Sequence, residues 1–136
     1  MTPRILILCG ALLLALGVAT GAFGAHGLRR LVTPDLLEVW RTGAHYQLIH
    51  GAGLLLVAAL WPRLAPTPAA WAGGLMLAGV VIFSGSLYAL VLTGTPILGA
   101  VTPVGGILMI LSWLMLAWAA CKPHGGPAAY NESPRD

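Results

Sequence analysis

The sequence predicts an all-α integral membrane bundle of four transmembrane helices, and three observations predict it. Four long apolar stretches, Ile5 to Phe23, Ala44 to Trp61, Ala69 to Leu92 and Val104 to Ala120, fit into 136 residues. The chain is 58% hydrophobic and only 8% charged, where a soluble domain carries about 25% charged residues. Its seven Lys and Arg sit singly or in pairs at the ends of these stretches, as topology determinants and interfacial anchors do. A hydrocarbon core of roughly 30 Å takes about 20 residues of helix. The spans are therefore placed at about 5–25, 43–61, 69–92 and 103–120, in one membrane domain over 1–121, followed by a disordered polar tail over 122–136.

The net charge of +3 does not point to nucleic acid, because that would need clustered basic residues on a wet surface with aromatics beside them. The partners predicted instead are the lipid bilayer and a membrane protein or a second copy of the chain.

The first span could be mistaken for a secretory signal, since Arg4 precedes an apolar run and Ala22-Phe23-Gly24 loosely resembles a cleavage site. Ile5 to Phe23 is 19 residues long, more than a signal core of about 7 to 15 residues, so a retained helix is expected. At 100° per residue Gly10, Gly17, Gly21 and Gly24 fall in a narrow arc, and Gly17 with Gly21 makes a GxxxG pair suited to close helix packing.

Gly27 to Gly43 is briefly polar, with Arg29, Arg30, Asp35, Glu38 and Arg41. Thr33-Pro34-Asp35 predicts a helix start with Thr33 as N-cap, Pro34 at the first helical position and Asp35 favourable to the helix dipole. The lead-in from Thr33 to Arg41 is amphipathic and feeds the second span.

That span's unbroken apolar run, Gly51 to Leu60, is ten residues, too short to cross alone. His45, Tyr46, Gln47 and His50 must therefore enter the membrane or its interface. Helical phase puts Gly43, Tyr46, Gln47, His50 and Gly53 on one face and turns His45 toward Glu38, which it or Arg41 could pair. Trp61-Pro62 ends the helix, and Arg63 to Pro68 is a short turn.

The third span carries Gly74 and Ala78 as a small-xxx-small pair for packing, with Ser84 and Tyr88 four apart on one face. After the uncharged loop Thr93 to Val101, Thr102-Pro103 repeats the cap and first-turn signal, and Gly105-Gly106 admits a close neighbour. Cys9 and Cys121 lie near one membrane face and read as free buried thiols. The face holding both termini has Arg4, Arg63 and Lys122, and the other has Arg29, Arg30 and Arg41. The uncharged third loop tips this near-tie toward both termini in the cytoplasm.

GAFGAHGL (Gly21 to Leu28) strongly resembles a family of small four-helix membrane proteins catalogued as domain of unknown function 423. Further matches follow in order: Tyr46-Gln47 with His50 three residues on, Phe83 to Tyr88, and Thr102-Pro103 before Gly105-Gly106. The resemblance covers roughly residues 5 to 120 and implies a four-span protein of the plasma membrane, the bacterial inner membrane, with no established activity. The family's last helix usually has Gly before Trp, whereas Ser112 precedes Trp113 here.

Chemistry must then come from His26, Tyr46, Gln47, His50, Ser84 and Tyr88. Left unpaired inside a bundle they would cost about 1 to 3 kcal/mol each, so an interhelical hydrogen-bond network is the leading expectation. A metal or haem site through His26 and His50 is the alternative, weakened by its two-ligand count. A proton or small-solute path in an oligomer, through His50, Tyr46 and Ser84, is a third. Ser84 and Ser86 stand in no nucleophile-elbow sequence, and His124 in the tail is expected to be solvated. The expectation is a non-enzymatic protein with a structural, interaction or assembly role; the sequence predicts no particular cofactor.

Overall fold

The computed structural model of the chain describes residues 1–122. Four α-helices account for most of them: α1 (Pro3–His26), α2 (Pro34–Leu60), α3 (Pro66–Thr93) and α4 (Thr102–Cys121). Each is long and apolar enough to cross a membrane. Short 3-10 turns at Leu28–Arg30, Trp61–Arg63 and Pro96–Ala100 link them, and among the described residues there is no strand.

Helix starts follow the prolines, whose missing N–H costs nothing in a first turn. Pro3, Pro34 and Pro66 each open a helix. Thr33 is extended, and its hydroxyl accepts from the Leu36 N–H at 3.4 Å. The amphipathic lead-in and the second span form one unbroken helix of 27 residues, about 40 Å long at 1.5 Å per residue. Its charged first turns can therefore stand outside a 30 Å core while the remainder crosses it. α3 closes on Gly94, whose φ of 66° is left-handed and whose N–H reaches the Leu90 carbonyl at 2.9 Å. Glycine adopts that conformation at no steric cost.

The fourth helix begins differently from the sequence expectation. Val101 is already helical, because the 3-10 turn Pro96–Ala100 runs into α4, so Thr102 lies inside the helix and does not cap it. The stretch Thr93 to Val101 is correspondingly a compact turn rather than an open loop.

The helices pack in chain order, α1 on α2, α2 on α3 and α3 on α4, with α2 and α3 in the middle. They alternate in direction, so the start of α1, the end of α2, the start of α3 and the end of α4 share one end of the bundle. There the Ala65 N–H donates to the Ala119 carbonyl at 3.2 Å. A cluster around Leu6, Leu54, Val57, Met76 and Leu116 fills that end, and a smaller one of Leu28, Leu37, Trp40 and Val91 fills the other. Outward faces carry Leu12, Leu16, Ile107 and Leu114, as lipid solvation requires.

Glycines set the closest crossings. A Cβ added to Gly10 would stand 2.9 Å from the Gly51 carbonyl oxygen. One added to Gly105 would stand 2.5 Å from the Phe83 nitrogen and 2.7 Å from the Gly79 carbonyl oxygen. Gly17 faces Leu48 and Gly24 faces the Trp40 ring. Gly21 and Gly74 have nothing within 4 Å, Ala78 is exposed and Gly106 makes only ordinary contact with Phe83. The packing roles expected of these four therefore fall elsewhere. In α3 the close glycines are Gly73, against Leu6, and Gly79, against Met109 and Gly105.

Candidate functional site: a polar belt between the helices

Between the two apolar clusters lies a belt of polar side chains, hung on the inward face of α2. The spacing of Gly43, Gln47, His50 and Leu54 keeps one helical face toward the bundle, and all four are buried. Gln47 sits at the midpoint of α2, where no water reaches an unpaired amide.

Gln47 joins three helices. Its Nε2 donates to the Leu13 carbonyl of α1 at 2.9 Å, and its Oε1 accepts from the Tyr88 hydroxyl of α3 at 2.8 Å. A carbonyl cannot donate, so these partners fix the amide orientation. With its own proton on Gln47, the Tyr88 oxygen can only accept, so the single Thr20 hydroxyl proton is shared between Tyr88, 3.2 Å away, and the carbonyl of Gly17, 3.1 Å away. Trp40 completes this side: its indole N–H reaches the Thr20 carbonyl at 2.8 Å, and its ring lies 4.5 Å from that of Tyr88.

One turn toward the charged end of α2, Ser84 of α3 donates to the Gly43 carbonyl at 2.8 Å. Gly43 has no side chain to block this approach, and a Cβ there would meet the Tyr88 ring at 2.9 Å. One turn the other way, His50 is 4% exposed. Its Nδ1 lies 2.8 Å from the Tyr46 carbonyl, and its Nε2 accepts from the Trp113 indole N–H of α4 at 3.2 Å. Since a carbonyl only accepts and an indole N–H only donates, the hydrogen bonds assign the neutral Nδ1–H tautomer. Tyr46 stacks on the imidazole at 5.9 Å and packs on Phe83 at 4.6 Å, with its own outer edge exposed.

This helix order and this polar face can be set beside known proteins. The family model described as Protein of unknown function (DUF423) matches residues 20–106. The chain belongs to that family. Among its relatives, the UPF0382 membrane protein YwdK of Bacillus subtilis is 47% identical over 120 residues, covering 88% of this chain and 98% of the relative. The UPF0382 membrane proteins SAB0533 of Staphylococcus aureus and SH2409 of Staphylococcus haemolyticus are 44% and 46% identical, over 90% and 88% of this chain and 99% and 97% of their own. No solved structure matches. With four apolar helices of crossing length, this DUF423 chain is a multi-pass membrane protein.

The DUF423 belt leaves out two side chains expected in it: Tyr46, which contributes its backbone carbonyl and its ring but no hydroxyl hydrogen bond among the described residues, and His26. His26 ends α1, exposed, in a cleft with Ala25, Arg29 and Arg30. Gly24, two residues before it, packs on Trp40, and His50 lies ten residues further along α2, about 15 Å at 1.5 Å per residue. A single ion needs both imidazoles about 2 Å from itself, so His26 and His50 do not form one site. Both His50 nitrogens are moreover already engaged. Among the described residues no group of three or more His, Cys, Asp or Glu could hold a metal. Cys9 is half-buried against the apolar core, while Cys121 is exposed rather than buried.

Other belt members carried weaker sequence signals. Thr20 is the one hydroxyl within the first apolar stretch. The indole N–H of Trp40 and Trp113 is hidden behind an apolar reading of tryptophan. Ser86 pairs with Thr102 at 2.8 Å while donating to the Phe83 carbonyl at 2.9 Å, which gives Thr102 a tertiary partner in place of a cap. Lys122 lies 4.1 Å over the Trp118 ring, and the remainder of the predicted tail, including His124, lies outside the described residues.

Chemically, the belt is closed. Among the described residues every buried side-chain N or O has a hydrogen-bond partner. Such an arrangement holds helices in register; a group that must take up or release a proton or a ligand would first have to break a bond that the bundle already uses.

Proposed function

We propose that this protein is a non-enzymatic bundle of the plasma membrane, with both termini in the cytoplasm. Its role is assembly or interaction with another membrane component, and the polar belt is its internal clamp. The observation that carries this reading is the completeness of the belt, above all the use of both His50 ring nitrogens by Tyr46 and Trp113. Reactive imidazoles need a free nitrogen facing a substrate, and His50 offers none. Gly21 and Gly74, which meet no other side chain of this chain, leave room for a neighbouring helix from a partner or a second copy.

The test is metal analysis and an ultraviolet-visible spectrum of the mildly solubilised protein beside its His50→Ala variant. No stoichiometric species in either, with lower thermal stability in the variant, is the expected result. A bound metal or a Soret band that vanishes in His50→Ala would overturn the clamp and make His50 a ligand. Orientation is read separately, by a cytoplasm-dependent fluorescent reporter fused at the C-terminus, which should be active. Cross-linking in intact membranes should then capture the partner or a dimer.

A further inference from the structure

The feature that the belt leaves unexplained is the cleft of about 480 Å³ at the end of α1, lined by Ala25, His26, Arg29 and Arg30. Its cations are placed by the fold. In the 3-10 turn Leu28–Arg30, three residues make one turn, so burying Leu28 in the cluster around Trp40 and Val91 leaves the other two directions to Arg29 and Arg30, both exposed. The turn is held by the N–H groups of Leu31 and Val32, both donating to the Leu28 carbonyl at 2.9 and 3.2 Å.

Among the described residues no carboxylate neutralises these charges. Among the described residues the one ion pair is Arg41 with Glu38, at 3.7 Å; neither Asp35 nor Glu38 pairs with Arg29 or Arg30. The carbonyl end of α1 supplies about half a negative charge, against two full guanidinium charges, so the field of the cleft is positive. In the same chain segment, Leu31 is 76% exposed and Phe23 46% exposed, apolar groups at the margin of a membrane-crossing helix. Cations over exposed apolar side chains at a span end complement one occupant with a negative head and an apolar body.

We propose that this cleft binds the phosphate-bearing headgroup of an anionic phospholipid, with Arg29 and Arg30 holding the phosphate oxygens and Phe23 and Leu31 lying against the acyl chains. Guanidinium forks match phosphate oxygens bidentately, which an ammonium or a neutral donor does not. This inference does not rest on the role of the polar belt.

Native mass spectrometry of the full chain, released from mild detergent with phosphatidylglycerol or phosphatidylcholine added in equal amounts, tests it. Wild type should retain phosphatidylglycerol preferentially. The Arg29→Gln, Arg30→Gln double variant should lose about tenfold of that preference, roughly the loss of one charge-assisted contact, while Lys122→Gln at the opposite end keeps it. The Arg29→Lys, Arg30→Lys variant preserves charge, so it tests the site even if the neutral pair fails to fold, and its preference should fall below wild type. No preference in wild type, or an unchanged preference in either double variant that folds, overturns the proposal. Displacement of the lipid by inorganic phosphate at equal concentration overturns it in favour of a free-phosphate site.

Discussion

Trp113 donates its indole N–H to Nε2 of His50 across 3.2 Å, joining the last helix to the second. Neither residue can satisfy the other's role alone in lipid, where water cannot replace a lost partner. Trp113→Phe keeps an aromatic ring and removes the donor, so it should lower stability by about 0.6 to 1.7 kcal/mol, from the average to the largest value measured for hydrogen bonds between membrane helices. A double-mutant cycle with His50→Ala, followed by unfolding in mixed micelles, isolates the pair. Additive losses would mean that the bond contributes nothing.

Gln47 should matter more than either neighbour it binds. Gln47→Leu removes two interhelical bonds, to Leu13 and from Tyr88, whereas Tyr88→Phe removes the bond to Gln47 and the longer 3.2 Å contact with Thr20, whose proton keeps the Gly17 carbonyl at 3.1 Å, and leaves the Leu13 contact intact. At about 0.6 kcal/mol or more per bond, Gln47→Leu should destabilise by roughly twice as much as Tyr88→Phe. Equal midpoints for the two variants in the same unfolding assay would contradict the three-helix clamp.

Glycines that look alike in the sequence should respond oppositely to alanine. On Gly105 the new methyl would press on backbone atoms of Phe83 and Gly79, which cannot rotate away. Gly105→Ala should therefore cost about 1 to 3 kcal/mol through forced separation of α3 and α4. On Gly74 the methyl meets open space, so Gly74→Ala should be neutral or slightly stabilising through helix propensity. Thermal unfolding of the two purified variants side by side decides it.

That contrast shows where sequence reasoning reaches and where it stops. Four spans, the start at Thr33-Pro34 and the inward phase of Gln47 and His50 follow from periodicity and proline chemistry within single helices, and those features are local. Which helix each face meets is a tertiary fact. Gly73, not Gly74, touches Leu6, and one residue is a 100° rotation that a Gly-Gly pair leaves ambiguous. His26 shares its residue type with His50 but stands at a helix end, because α1 runs unbroken through Gly24. Thr102 reads as a cap from its Pro neighbour, yet the preceding prolyl turn is already helical and frees its hydroxyl for Ser86. The partners of Thr20, Trp40 and Trp113 come from chain segments 20 to 68 residues away, beyond any pattern within one helix.

Ser84 and Ser112 allow the sharpest separation of interhelical from local bonding, because burial and chemistry are matched and only the partner differs. Their side chains are 3% and 0% exposed. Ser84 donates across helices to the Gly43 carbonyl at 2.8 Å, whereas Ser112 donates to the Met109 carbonyl of its own helix at 2.7 Å. Losing the first unties α3 from α2; losing the second removes a bond that forms whenever α4 is helical, unfolded or not, and alanine is the better helix former. Ser84→Ala should thus destabilise by about 0.6 to 1.7 kcal/mol, and Ser112→Ala should stay within about 0.5 kcal/mol of wild type. The same reasoning explains how a serine can stand before Trp113 without a partner on another helix. If Ser112→Ala proved the more damaging of the two, the hydroxyl would have to reach beyond α4, and the belt would extend further into the fourth helix than His50 and Trp113.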